Sequence, residues 1–273
     1  MKGNVIGSGI KVSLIVTTYN WKEALEVVLR SAFEQTFLPI EIVVADDGSR
    51  PDTAALIRRL TSESPVPLVH VWQEDIGFRV ARIRNQALVK AQGQYIVFLD
   101  GDMVLDQNFI VDHLMLAREG WFVQGPRALV GEKLTQQILG RGRLQLPIAL
   151  QGIGNKKNCL RSIWLSQLFS WEASGLHGIR LCNFSLWKQD ALRVNGFNED
   201  FEGWGREDSE FVARLLNIGV RRQNLRFRAL GYHLHHPINE RNRLVANDRL
   251  LQNTIEKRLV WCENGLGQSN RIN

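Results

Sequence analysis

An alternation of apolar runs with amphipathic stretches dominates the first hundred residues of this chain. Runs rich in valine, isoleucine and leucine predict four strands, at Lys11–Thr18, Ile40–Ala45, Leu68–Trp72 and Tyr95–Leu99. Apolar residues at helical spacing predict the helices between them, at Glu23–Gln35, Thr53–Leu60 and Val80–Gln92. Strands that alternate with helices form a parallel sheet, and almost wholly apolar strands are covered on both faces. The sequence therefore predicts an α/β fold with a mostly parallel sheet flanked by helices.

Polar and acidic residues follow each of these predicted strands. The segments are Thr17–Asn20, Asp46–Ser49, Gln73–Asp75 and Asp100–Asp102. The carboxyl ends of parallel strands meet at one edge of a sheet, and ligands bind outside that edge. We therefore expect these side chains to line a single binding site.

The last of these segments has two carboxylates, Asp100 and Asp102, separated by a glycine. Such a turn can hold a hard divalent cation, Mg²⁺ or Mn²⁺, that is shared with substrate phosphates. A plain Asx-type turn is the alternative, because Asp-Gly is a common turn dipeptide. The chain has no G-x-G-x-x-G after its first strand and no G-x-x-x-x-G-K-[ST], so a Rossmann dinucleotide site and a P-loop are not supported. The acidic edge instead indicates a nucleotide held through a metal and through its base and ribose.

The formal net charge of +6 calls for an anionic partner. Charge alone leaves nucleic acid, a phosphorylated substrate and an anionic membrane open. The segment 134–170 contains no acidic residue, and apolar residues at helical spacing lie beside its basic ones: Leu160, Ile163, Trp164, Leu168 and Trp171. A basic amphipathic helix with tryptophan can lie on an anionic bilayer, and a helix that faces the core is the alternative. The lack of acidic residues favours contact with an anionic acceptor or bilayer.

The segment Gly203–Glu210 begins another predicted helix. Capping and the helix dipole favour acidic residues at a helix start, so Glu207 and Asp208 have a structural explanation. Trp204 lies between two glycines, and ordering a large ring on such a loop costs entropy unless something packs on it. A sugar ring is a suitable occupant, and a neighbouring carboxylate could accept the proton of an attacking sugar hydroxyl.

Three histidines follow a predicted strand at Leu225–Leu230. Strand alternation places His233 and His235 on one face and His236 on the other. A single histidine is usually structural, but three within four positions favour a metal ligand. A site of oxygen ligands completed by one imidazole suits Mn²⁺ better than Mg²⁺.

With these motifs, the chain resembles the family 2 glycosyltransferases of the GT-A fold. Three segments are similar to the N-terminal signatures of that family and occur in its order: Val12–Asn20, Asp46–Ser49 and Asp100–Asp102. Gln73–Phe78, followed by Arg84-Asn85, is similar to the corresponding segment of the chondroitin polymerase branch. Asn195–Glu210 is similar to a galactosyltransferase-type motif that is shared with that branch. The likeness covers about Lys11 to Pro237 and does not include the insert 134–170.

The resemblance implies a GT-A, Rossmann-like sheet with a donor site at its polar edge. Four residues would hold the base and ribose of a nucleotide sugar, usually a UDP sugar: Thr17, Tyr19, Asp46 and Asp47. Arg84 would support that pocket. Asp100 would lie beside the ribose and the metal.

The same resemblance assigns the metal and the acceptor. Asp102 would bind Mn²⁺ or Mg²⁺ across the diphosphate, with His233 as the C-terminal ligand and His236 as a competitor for that position. Asp208 matches the catalytic base, and Glu207 would hold the acceptor beside Trp204. Arg206 stands where galactosyltransferases commonly have glycine, so the likeness does not imply galactose specificity.

The expected activity is inverting transfer of a hexose-type sugar from a UDP sugar to a hydroxyl of a glycan or lipid-linked glycan, in bacterial surface polysaccharide or lipopolysaccharide synthesis. Residues 1–125 would form the nucleotide-sugar half, 126–240 the acceptor half of the same domain, and 241–273 a tail. Two alternatives are a nucleotidyltransferase acting on sugar phosphates and a non-enzymatic basic protein that binds membrane or nucleic acid. The predicted enzyme has no nucleic-acid partner.

The predicted location of the protein depends on two absences in the sequence. No run of about 18 apolar residues occurs, and the segment 1–9 lacks the apolar core of a signal peptide. We therefore expect a cytoplasmic protein, with peripheral contact at the cytoplasmic face of the inner membrane.

Overall fold

The computed structural model describes residues 9–147, 149–237 and 241–269. Its first elements are strand–helix units whose ends lie within two residues of the predicted ones. They are β1 (Val12–Thr18), α1 (Lys22–Phe33), β2 (Glu41–Asp46), α2 (Pro51–Thr61), β3 (Leu68–Trp72), α3 (Val80–Lys90) and β4 (Tyr95–Asp100).

The elements that follow are mostly shorter. They are β5 (Met103–Leu105), α4 (Phe109–Leu114), β6 (Trp121–Gln124), β7 (Arg127–Val130), α5 (Glu132–Arg141), β8 (Ile153–Gly154), a 3-10 turn (Lys156–Cys159), α6 (Ile163–Phe169), β9 (Trp171–Ala173), β10 (Asn183–Trp187), α7 (Lys188–Arg193), α8 (Glu207–Asn217), β11 (Arg221–Asn224), β12 (Gly231–His233), α9 (Leu244–Glu256) and α10 (Leu266–Ser269).

Within the described residues, the larger sheet has eight strands in the order β3-β2-β1-β4-β10-β6-β11-β9. The first four are parallel, and β10 pairs antiparallel with both β4 and β6. A smaller sheet has the order β5-β12-β7-β8. The predicted α/β fold is confirmed. Strands from before and after residue 125 pair with each other in the larger sheet. The division of the domain into two halves at that residue stays a prediction.

Helices cover both faces of the larger sheet. Alternate residues of β1 belong to different buried clusters: Leu14 and Val16 pack in the cluster of Leu25 from α1, whereas Ile15 packs in the cluster of Ile83 from α3. This two-sided burial explains why the predicted strands are apolar runs without polar alternation.

The predicted strand Leu225–Leu230 is wrong. β11 ends at Asn224 and β12 begins at Gly231, so these residues form a loop between two strands. Phe227 and Ala229 have φ angles of 59° and 47°. These left-handed conformations are incompatible with an extended strand.

The amphipathic segment of the insert is helical only in α6. Trp171 lies in β9, because Ser170 ends the helix in an extended conformation. The apolar side chains of α6 face solvent, with Trp164 79% and Leu168 76% exposed. A helix that faces the core is therefore not observed. No helix in the described part of the chain combines the length and apolarity needed to cross a bilayer.

Candidate active site

The carboxyl ends of the central strands open into a cleft of about 1430 Å³. The cleft is also bordered by the start of α8 and by the residues after β12. Nearly all predicted site residues line it: Thr17, Tyr19, Asp47, Arg84, Asp100, Asp102, Trp204, Glu207, Asp208, His233 and His236. Asp46 is buried at the end of β2 and is not among the lining residues.

Arg84, on α3, connects carboxylates that are far apart in sequence. Its Nη1 donates to Asp208 Oδ1 at 2.7 Å and to Glu207 Oε1 at 3.4 Å. Its Nη2 donates to Asp100 Oδ1 at 3.3 Å, and that oxygen also accepts a bond from the Thr17 hydroxyl at 3.0 Å. Arg84 therefore contacts carboxylates from two acidic segments, Asp100–Asp102 and Glu207–Asp208. The family resemblance instead implies that it supports the base and ribose pocket.

The ionisation of this group is set by burial and by the close charges. Burial, and then the Asp208 charge, raises the pKa of Glu207 to about 8. Burial also raises the pKa of Asp100 to about 6, although the nearby Arg84 charge opposes this. For Arg84 itself, burial lowers the pKa, but Asp208, Asp100 and Glu207 outweigh it and raise the pKa above its usual range. Glu207 is therefore protonated at neutral pH while Arg84 stays charged.

Asp208 is held through both of its carboxylate oxygens. Arg84 occupies Oδ1, and the backbone N–H of Leu181 donates to Oδ2 at 2.9 Å. Its side chain keeps 20% exposure at the cleft. The residue before the helix, Arg206, has a φ of 78°, which turns the chain sharply into α8. The start of α8 therefore fixes this carboxylate in one orientation at the cleft wall.

A second group of side chains can hold a metal ion. Ligand atoms from Asp102, His233 and His236 all lie within 4.8 Å of one another. Asp102 Oδ2 is 3.2 Å from His236 Nε2 and 3.6 Å from His233 Nε2. Asp102 Oδ1 is buried and has no hydrogen-bond partner among the described residues. A buried oxygen without a partner, beside two imidazoles, fits a divalent cation such as Mn²⁺.

The two histidines of this group differ from the predicted alternation. The structure brings His233 and His236 together, with ring centroids 5.1 Å apart. His235 is exposed, and its backbone N–H donates to Thr135 Oγ1. Alternation fails because β12 ends at His233. Burial lowers the pKa of His233, which favours the neutral imidazole that ligates metals.

The end of the cleft that is predicted to hold the nucleotide is built from β2 and the loop after β3. Asp46 Oδ1 accepts from the Ser49 N–H at 2.8 Å, and its Oδ2 lies 2.9 Å from His70 Nε2. Asp47 accepts bonds from the Gln73 amide and from the Arg79 N–H, while burial raises its pKa to about 6. The two adjacent carboxylates therefore have different partners, and only Asp47 lines the cleft.

Trp204 stands on a sharply turned loop at the other end. The flanking glycines, Gly203 and Gly205, have φ angles of 73° and 105°, which favour glycine. The Trp204 side chain is 37% exposed, and the Arg241 guanidinium lies 4.9 Å from the centre of its ring. Trp204 therefore lines the cleft with a cationic side chain stacked beside it.

Several lining residues belong to none of the motifs in the sequence, among them Arg127, Arg180 and Cys182. These three come from the start of β7 and from the segment before β10, elements too short for hydrophobic periodicity to detect. No local sequence signal marks them.

Two family models match the chain. The model of glycosyl transferase family 2 matches residues 13–166, more than half of its length, and a model described as the N-terminal domain of galactosyltransferase matches residues 170–237. The chain belongs to glycosyl transferase family 2. The resemblance carried by the strand-end motifs and by the segment before α8 is thereby confirmed.

Curated relatives of this family 2 chain include polysaccharide synthases. A chondroitin synthase of Pasteurella multocida is 27% identical over 237 residues, which are 78% of this chain and 24% of the relative. A GalNAc(5)-diNAcBac-PP-undecaprenol beta-1,3-glucosyltransferase of Campylobacter jejuni is 25% identical, covering 71% of this chain and 56% of the relative. The chain spans between 23% and 37% of the length of the first three curated relatives it matches.

Solved structures with the same fold are GT-A glycosyltransferases. Staphylococcus aureus TarS in complex with UDP superimposes with a TM-score of 0.57 at 18% identity, covering 89% of this chain and 64% of that one. The mannosyltransferase PcManGT of Pyrobaculum calidifontis, in complex with GDP-Man and Mn²⁺, gives 0.56 at 20% identity, covering 84% and 58%. The predicted GT-A fold is confirmed.

Proposed function

We propose that this family 2 chain is a metal-dependent, inverting glycosyltransferase that moves a hexose-type sugar from a UDP sugar to a glycan hydroxyl. The observation that carries the proposal is the arrangement around Arg84. This one buried guanidinium fixes Asp208 and Asp100 in a cleft that the Asp102–histidine group also lines. A base for the acceptor and a metal site for the donor diphosphate thus face the same space.

Asp208 is the proposed catalytic base. In the proposed step its carboxylate accepts the proton of the acceptor hydroxyl, whose oxygen attacks the anomeric carbon from the side opposite the diphosphate. The bond between that carbon and the phosphate oxygen breaks, the diphosphate leaves with the electron pair, and the configuration inverts. The bonds from Arg84 and Leu181 hold Asp208 in place, which reduces the entropy lost on reaching this geometry.

The donor is assigned to the strand-end residues. Thr17, Tyr19 and Asp47 of the cleft wall hold the base and ribose in this proposal, and Asp46 supports them from its buried position at the end of β2. Asp100 lies between them and the metal site. A UDP complex of a structure with this fold supports a UDP sugar as donor.

The metal is assigned to Asp102 with His233 and His236. These residues would hold Mn²⁺ or Mg²⁺, which would supply positive charge to stabilise the departing diphosphate. The Mn²⁺ in a structure with this fold supports the choice of ion.

The acceptor is assigned to Trp204 and Glu207. The Trp204 ring offers a surface on which a sugar can pack. Glu207 keeps its proton at neutral pH because burial raises its pKa, so it can donate a hydrogen bond to an acceptor oxygen. The names of the relatives support a bacterial surface polysaccharide, lipopolysaccharide or lipid-linked glycan as acceptor.

The function is tested by incubating the protein with a panel of UDP sugars and Mn²⁺ and measuring UDP release without an added acceptor. We expect slow hydrolysis of one UDP sugar that stops when EDTA removes the metal. Asp102→Ala should abolish metal-dependent UDP binding in a calorimetric titration. Metal-independent binding of UDP by the wild type, or an unchanged metal dependence in Asp102→Ala, would remove the metal from the proposal.

We also propose that the protein contacts the cytoplasmic face of an anionic membrane through α6 and β9. Five apolar side chains of these two elements are exposed: Ile163, Trp164, Leu168, Phe169 and Trp171. The insert that contains α6 has no acidic residue between positions 134 and 170, and Glu172 of β9 is paired with Arg221. Lys156 and Lys157, which precede α6, are exposed. Exposed apolar side chains that follow these lysines match an anionic lipid surface in both polarity and charge.

Vesicle flotation tests this contact. The wild type should float with vesicles containing phosphatidylglycerol and bind less to pure phosphatidylcholine. Trp164→Ser/Leu168→Ser should lose most of this binding. The matched control is Val245→Ser/Ile255→Ser, which removes exposed apolar side chains from α9 instead. Equal binding by the two double variants would contradict the assigned face.

A further inference from the structure

Six arginines of the described chain line the cleft, and only Arg84 has a part in the proposed step. Arg127 lies at the start of β7, and Arg180 lies in the segment before β10. Three of the six pair with carboxylates, Arg84 with Asp208, Arg206 with Asp248 and Arg243 with Glu202, and Arg241 lies over the Trp204 ring. Across the described residues, neither Arg127 nor Arg180 makes an ion pair or a side-chain hydrogen bond.

Both arginines line the cleft, and the Arg180 backbone is bonded to the side chain of Gln124, three residues before Arg127. Burial, and then the Arg127 charge, lowers the pKa of Arg180, although its side chain remains accessible from the cleft. Like charges held together without a counterion raise the free energy of the folded protein, and a bound anion relieves this cost.

The backbone at both positions is fixed by buried amide side chains. The Gln124 side chain donates to the Arg180 carbonyl at 2.8 Å and accepts from the Arg180 N–H at 3.1 Å. The Asn158 side chain donates to the Arg127 carbonyl at 2.6 Å. The two arginines therefore project from rigid supports rather than from a freely moving loop.

Sheet register places Arg127 beside the metal group. In the pairing of β7 with β12, Arg127 is opposite Gly231, and the position two residues further along β12 is His233. Residues two apart share a face, so Arg127 and His233 lie on the same face of the smaller sheet. An anion that approaches the metal group thus also approaches this arginine.

We infer that Arg127 and Arg180 form a binding site for a phosphate or diphosphate group of a substrate. The inference deepens the proposed function, on which it rests. Guanidinium groups bind phosphate oxygens through paired hydrogen bonds, which suits this chemistry better than a single lysine would. Two sources supply such a group: the diphosphate of the sugar donor, or the phosphate of a lipid-linked acceptor.

Inorganic pyrophosphate, titrated calorimetrically in EDTA, tests the site without metal or catalysis. Arg127→Gln and Arg180→Gln should each weaken pyrophosphate binding by about tenfold or more, since each removes charge-assisted hydrogen bonds. Arg249→Gln is the matched control, because Arg249 is exposed on α9 and does not line the cleft. Arg127→Lys/Arg180→Lys keeps both charges and should retain part of the binding. Thermal unfolding establishes that each variant is folded.

Two further titrations identify the source of the phosphate. Weaker UDP binding in Mn²⁺ by the glutamine variants assigns the site to the donor. Unchanged UDP binding with weaker binding of a prenyl diphosphate assigns it to a lipid-linked acceptor. Pyrophosphate that binds all variants equally, or does not bind the folded wild type, overturns the inference. Because this readout needs no turnover, its failure is distinguishable from failure of the proposed transferase activity.

Discussion

Arg84 lies almost fully buried within reach of three carboxylates. Burial of a charged guanidinium raises the free energy of the folded state unless the group is paired and hydrogen-bonded. Asp208 and Asp100 supply that pairing at 2.7 and 3.3 Å. Glu207 is the third carboxyl, and its raised pKa leaves it neutral beside them. The site therefore places the proposed base, Asp208, next to a carboxyl group whose pKa is raised by burial.

The raised pKa of Glu207 makes stability depend on pH. Its pKa is about 8 in the folded protein against an ordinary 4.5, so the unfolded chain loses this proton at lower pH than the folded protein does. Between these values the folded state binds more protons, and the contribution of Glu207 to the free energy of unfolding falls as pH rises. Urea unfolding from pH 5 to 8 should show wild type losing stability relative to Glu207→Gln. Parallel curves for the two proteins would contradict the assignment.

At the scale of elements, α8 connects the proposed catalytic carboxylate to the core. Glu210, two residues after Asp208, forms a buried ion pair with Arg214 at 2.7 Å. The Arg214 guanidinium also donates to the carbonyls of Val194 and Gly196, and the Thr254 hydroxyl of α9 donates to Glu210. These contacts hold α8 in register with its neighbours.

Breaking this pair should destabilise the fold without changing the site chemistry. Arg214→Met leaves the Glu210 carboxylate buried without its partner, and we expect a loss of about 3–5 kcal/mol in the free energy of unfolding. The double variant Arg214→Met/Glu210→Gln removes both charges and should lose less. Urea denaturation measures both. A double variant at least as unstable as the single one would indicate that packing, rather than the unpaired charge, sets the cost.

The predictability of the elements follows their length and burial. β1 to β4 and the helices between them are long enough for hydrophobic periodicity to place their ends within two residues. β10 was not predicted from the sequence, because its five residues are stabilised by pairing with two strands that are distant in sequence, β4 and β6. The strands of the smaller sheet have only two to four residues. Elements this short are determined by their tertiary partners rather than by their own sequence.

The same distinction applies to the site. Asp102 and Asp208 could be predicted because each belongs to a compact motif at the end or start of a regular element. The sequence also predicts His233 and His236 as candidate ligands beside Asp102, but strand alternation places them on opposite faces. Their common position beside Asp102 depends on how the chain turns after β12. The contacts of Arg84 with Asp208 were not predicted, because they join residues more than one hundred positions apart.

At the scale of the whole molecule, the cleft draws residues from most of the described chain. The parallel half supplies Thr17, Asp47 and Asp100, whereas Asp208 and His233 come from elements added beyond β6. The antiparallel β10 joins the two parts in one sheet. The residues proposed for the donor and the proposed base are therefore held by elements that are joined through one sheet.

The measurement that tests this account most directly is UDP release by Asp208→Asn in Mn²⁺, from the UDP sugar that the wild type hydrolyses fastest. Loss of a general base lowers a rate by about 10²–10⁴-fold. We expect a loss of that size while calorimetry shows UDP and Mn²⁺ binding close to the wild type. A rate near that of the wild type, with UDP bound normally, would contradict the central claim that Asp208 is the base.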